Sequence, residues 1–66
     1  MTDFLFRNHG SVASVCAISP AAQEFAESSL HVESWQGTPA LFLADHRAAV
    51  ALAQQLEAEG WNVHLV

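Results

Sequence analysis

FLFRNHGSVASVCAISP, residues 4–20, decides how this chain folds. Phe4, Leu5 and Phe6 open a strand that runs to about Asn8. Asn8-His9-Gly10-Ser11 then places a glycine where a tight turn needs positive φ. Residues 12–18 follow as a second strand, with Val12, Ser14, Cys16 and Ile18 facing one way and Ala13, Val15 and Ala17 the other. Two apolar runs joined by a glycine turn spell a β-hairpin. Ser19-Pro20 changes the register of the chain: serine caps free backbone N–H groups, and proline at the first helical position loses no needed donor.

The helix so started is expected to reach about Leu30, with Ala22, Phe25, Ala26 and Ser29 on one face and Gln23, Glu24 and Glu27 on the other. Three turns are marginal alone, so Phe25 is expected to be largely buried and to anchor them to a sheet. Residues 31–36 alternate as a short edge strand, and Gly37-Thr38-Pro39 turns into the next one. Residues 40–44 are apolar throughout, the pattern of a strand buried on both faces. Asp45 caps a second helix over 46–59, whose apolar stripe is Ala49, Leu52, Ala53 and Leu56 and which Gly60 ends. Residues 61–66 close the chain as a strand, Val63 and Leu65 on one face and Asn62 and His64 on the other. The order is β-β-α-(β)-β-α-β: an α+β two-layer domain, related to the ferredoxin-like arrangement, with two helices on one face of a mainly antiparallel sheet. One domain spans 1–66.

Composition narrows the function. Seven carboxylates (Asp3, Glu24, Glu27, Glu33, Asp45, Glu57, Glu59) face two arginines and no lysine, a formal charge of -5 on 66 residues. Such a field repels nucleic acid and attracts basic protein surfaces. With 52% hydrophobic residues, this is an acidic shell around a core and not a disordered tail. Cys16 is the single cysteine, so no internal disulfide forms, which points to a reducing cytoplasm. The N-terminus has no basic region before its apolar stretch, unlike a signal peptide, and no apolar run approaches the roughly 20 residues of a membrane span.

Catalytic and cofactor chemistry finds little support. His9, His31, His46 and His64 lie at least 15 positions apart, far from the short spacings of zinc ligands. Cys16 reads as a small core hydrophobe, mid-strand and without a helix N-terminus to activate it. Asp45 is explained as a cap and His46 as a first-turn surface residue, so they form no nucleophile–base pair. The three glycines are isolated and no lysine meets a phosphate. Phe4 and Phe6 could stack on bases, but Arg7 is the one basic residue near them, and both read as core. No metal, no cofactor and no enzymatic activity are expected.

The carboxylates remain. Glu24 and Glu27 are one helical turn apart, Glu33 follows in the next loop, and Glu57 and Glu59 end the second helix. If the helices lie side by side, these five share a surface. Trp35, beside Glu33, is a candidate aromatic anchor or a lid on the core. Asp3 and Asp45 are outliers of the set.

Segments 4–11 (FLFRNHGS), 19–25 (SPAAQEF) and 35–37 (WQG) followed by 40–43 (ALFL) resemble small uncharacterised proteins of proteobacteria and their mobile elements. In size and charge the chain also resembles the short acidic anti-CRISPR proteins of type I systems, type I-C among them. Those proteins share no fold or catalytic motif, so no site residue is carried over. The resemblance implies a non-enzymatic, monomeric inhibitor in the host bacterial cytoplasm. It would block the DNA-binding surface of a CRISPR effector (Cascade) subunit by nucleic-acid mimicry, without itself touching nucleic acid or membrane. The alternative is an accessory or regulatory domain of a phage or plasmid, assembling with itself or another protein through its sheet face or edge.

Overall fold

The structure is a computed structural model that describes residues 1–30 and 32–66. Its elements are β1 (Phe4–Asn8), β2 (Val12–Ala17), α1 (Pro20–Ser29), β3 (Gly37–Thr38), β4 (Leu41–Asp45), α2 (His46–Ala58) and β5 (Val63–Leu65). They form one five-stranded sheet in the order β3-β4-β2-β1-β5, and every pairing is antiparallel except β1 with β5. This is the two-layer α+β domain expected from the sequence. One feature departs from a plain ferredoxin-like unit begun at Val12, which would set β5 beside β2. Here β1 occupies that place, and β5 pairs in parallel with it, Phe4 opposite Val63 and Phe6 opposite Leu65.

Local chemistry explains where the elements begin and end. The Gly10 N–H donates to Asn8 Oδ1 at 2.9 Å and the His9 N–H to the Val12 carbonyl at 2.8 Å, which closes the hairpin. Ser19 Oγ accepts from the Ala22 N–H at 3.1 Å, and Asp45 Oδ1 accepts from the Ala48 N–H at 2.9 Å, so both helices carry their expected caps. The Trp61 N–H returns to the Leu56 carbonyl at 3.0 Å and ends α2.

The edge strand differs from expectation. His31 lies outside the described residues, and 32–36 hold no strand; residues 34–36 form a turn, and the strand is the pair Gly37–Thr38 that the sequence reads as a turn. Gln36 is the cause. Its side chain accepts from the Glu33 N–H at 3.0 Å and donates to the Leu43 carbonyl at 2.8 Å, while its carbonyl accepts from the Leu43 N–H at 2.9 Å. Gln36 thereby folds 33–36 into a turn held against β4. Gly37 then sits at φ +130, and a Cβ there would run into the Leu41 carbonyl oxygen.

The core lies on one face of the sheet. Phe4, Phe6, Ala13, Val15, Ala17 and Phe42 point into it from the strands, and Ala22, Ala26, Ala49, Ala53 and Leu56 from the helices. Bulk comes from the sheet and small residues from the helices, so the helices ride close to the strands. Leu56 is the one large helical side chain fully buried. Phe25 is only partly buried, a correction to the sequence reading. It stands at the rim, 6.4 Å from Phe4 edge-on and 5.1 Å from Trp61, which is itself 5.4 Å from Phe4.

Two more expectations fall together. β4 is covered on one face only: Phe42 is buried, but Leu41 is 54% exposed and Leu43 43%. Cys16 is no core hydrophobe either. It is partly exposed on the same open face, opposite Leu5 on one side and Leu41 on the other. Both helices pack on the other side, which leaves this face without a layer.

Candidate functional site

Three charged stations surround the helical layer. α1 carries exposed Glu24 and Glu27, and α2 ends in exposed Glu57 with Glu59 as its C-cap. Neither helix has a basic residue in its last turn. Glu57 and Glu59 therefore stand at the negative end of the helix dipole with no cation in the last turn to offset it, and the Glu59 carboxylate accepts from the Gln55 side-chain N–H at 3.3 Å. The Phe25–Trp61 ring contact ties the middle of α1 to the segment that leaves α2; each helix otherwise packs on the sheet, and the two glutamate pairs stay separate, one pair per helix.

Glu33 and Trp35 are elsewhere. Gln36 holds their turn against Leu43 on β4, on the far side of β2 from β1, whereas the aromatic joint forms over Phe4 on β1. The five glutamates thus fall into three stations: a pair on α1, a pair at the end of α2, and Glu33 in the turn from which Trp35, 79% exposed, projects. That exposure excludes the lid reading for Trp35.

Asp3 and Asp45 have structural work. Asp45 caps α2. The Asp3 carboxylate accepts from the Asn62 N–H at 3.1 Å, its own N–H donates to the Asn62 carbonyl at 2.9 Å, and its carbonyl accepts from Ile18 at 2.7 Å. The Ser19 hydroxyl and then the Asn62 N–H hold the Asp3 carboxyl below the usual carboxylate range. One residue so ties the end of β2, the cap of α1 and the approach to β5.

The remaining polar groups are dispersed. His9 Nε2 lies 3.1 Å from Ser14 Oγ at the hairpin, His46 begins α2, and His64 is on β5. No three His, Cys, Asp or Glu side chains converge among the described residues. No helix among them is long and apolar enough to cross a membrane.

An open sheet face was expected, but its apolar character was missed, because Cys16 and residues 40–44 read as buried. Leu5, Val12, Cys16, Ile18, Leu41 and Leu43 make it apolar, with Arg7, Ser14, Thr38 and His64 between and around them. Register could have found it: Val12, Ser14, Cys16 and Ile18 already point away from Ala13, Val15 and Ala17. A separate apolar groove of about 400 Å³ runs between α2 and the β1–β5 edge, past Phe6, Ala49, Val50, Ala53 and Leu65. No protein-family model, curated protein or solved structure matches the chain.

Proposed function

We propose that this chain is a non-enzymatic binding protein that offers its acidic helical layer to a basic, DNA-binding surface of a protein partner. Following the resemblance, that partner is a subunit of a type I CRISPR effector complex, and the chain inhibits it by standing in for the phosphate backbone. The observation that carries the reading is the end of α2, where Glu57 and Glu59 face outward against the helix dipole with no base in the last turn. A cationic surface would relieve that repulsion on binding. Glu24 and Glu27, exposed on α1, extend the charge, and Glu33 with Trp35 supplies a further contact. The alternative, an assembly domain working through its sheet, draws on the exposed Leu41 and Leu43.

Binding to a purified type I effector complex, in competition with target DNA and at two salt concentrations, tests the decoy reading. Desolvated charges cost about 2–5 kcal/mol when truncated, and exposed ones act over roughly 8 Å at physiological salt. Glu24→Lys with Glu27→Lys, or Glu57→Lys with Glu59→Lys, is expected to weaken binding at least tenfold while the folded chain keeps its melting point or, for the pair at the end of α2, gains slightly. Unaltered binding by both double variants would overturn the reading.

A further inference from the structure

The open sheet face asks for a second layer, and the charges decide whose. Its side chains come from β1 (Leu5, Arg7), β2 (Val12, Ser14, Cys16), β3 (Thr38), β4 (Leu41, Leu43, Asp45) and β5 (His64), with Ile18 just past β2. Among these Asp45 is the only carboxylate, and one of its oxygens already caps α2. A chain of charge -5 therefore has one large apolar face almost free of negative charge.

We propose that this face is a self-association surface on which two copies pack sheet against sheet, in place of the monomer expected from the sequence. Face-to-face sheets lie about 10 Å apart and keep their strands within about 30° of each other. The two acidic helical layers then point outward on opposite sides of a four-layer particle. Each sits roughly 10 Å beyond its own sheet, so about 30 Å separates them, several Debye lengths at physiological salt. β2 is the middle strand of five. With the twofold axis along it, β1 of one copy overlies β4 of the other. Arg7 then lies over the Leu43 row and one row from Asp45 of the second copy.

Area sets the strength. Extents of 27 × 23 Å bound the face at about 600 Å² a side, or about 1,200 Å² in all, the lower edge of stable interfaces. An interface at that edge is a weak, reversible one. It would also help a chain of 66 residues, whose small core leaves stability modest.

Sedimentation of the whole chain from about 1 to 500 µM tests this, with a shift expected from 7.1 kDa to twice that mass. Cys16, partly exposed near the centre of the face, is the internal probe. Maleimide should label it at least tenfold more slowly at the highest concentration than at the lowest, with no substitution needed. Leu41→Ser with Leu43→Ser should remain 7.1 kDa throughout. Glu24→Gln with Glu27→Gln, on the opposite layer, should leave the association intact. A constant 7.1 kDa mass with concentration-independent labelling would overturn the proposal, as would assemblies that grow beyond two copies. Neither readout involves a CRISPR complex, so this inference and the decoy reading fail separately.

Discussion

Removing the Phe25 ring should cost about 2 kcal/mol. Truncating a fully buried phenylalanine to alanine costs about 3–5 kcal/mol. Phe25 is only partly buried, and roughly half that loss applies to the edge it shares with Phe4 and Trp61. At about 0.05–0.15 kcal/mol per residue the whole domain is worth about 3–10 kcal/mol, so the change removes a large share of its stability. Urea unfolding followed by far-UV circular dichroism reads this directly. With a slope near 1 kcal/mol per molar, the Phe25→Ala midpoint should fall by about 2 M. A double-mutant cycle of Phe25→Leu and Trp61→Leu, which keeps apolar bulk in place, isolates the ring–ring term. Aromatic pairs couple by about 0.5–1.5 kcal/mol beyond area burial. Trp35→Leu is the control: its exposed ring should matter by under about 0.5 kcal/mol. A Phe25→Ala midpoint equal to the parent's, or a cycle with no coupling, would refute the aromatic joint that ties α1 to the exit of α2.

Two further outcomes test the frame around that joint. Because the Asp3 carboxyl is held below its unfolded value by Ser19 and Asn62, its ionised form favours the fold. That contribution is present above the unfolded pKa and is lost as pH falls through the folded one. The acid limb of the parent's stability profile below about pH 4 should therefore flatten in Asp3→Asn, measured as urea midpoint against pH. Gly37→Ala should detach β3 from β4, since its Cβ meets the Leu41 carbonyl and its φ is +130. Stability should drop by about 1–2 kcal/mol, and the Leu43 amide, bonded to Gln36, should lose hydrogen-exchange protection.

Legibility followed the range of each interaction. The hairpin turn, the Ser19-Pro20 and Asp45 caps and the end of α2 are decided by residues within five positions of one another, and each was readable. The edge strand was not. Alternation through 31–36 imitates a strand, while the deciding contact joins Gln36 to Leu43, seven residues on. The place of β1 between β2 and β5 depends on pairing across more than fifty residues, which no local pattern encodes.

The candidate surfaces divide along the same line. Exposure of Glu24 and Glu27 follows from helical periodicity alone, because a glutamate opposite the Ala22–Ala26 stripe has nowhere else to point, whereas Glu57 flanks its stripe and Glu59 caps the end of α2. That α1 is tied to the exit of α2 required the Phe25–Trp61 contact, and that Glu33 and Trp35 stand apart required Gln36. The apolar run 40–44 was the deepest ambiguity. Continuous hydrophobicity reads the same in a strand buried on both faces and in one whose second face awaits another molecule. Ala13, Val15 and Phe42 turn to the helices, so Val12, Ser14, Cys16, Leu41 and Leu43 must turn away, where the chain supplies no further layer. The acidic layer and the apolar face are thus two sides of one register: the strand pairing that buries the aromatic core also separates the charge from the surface best able to bring two copies together.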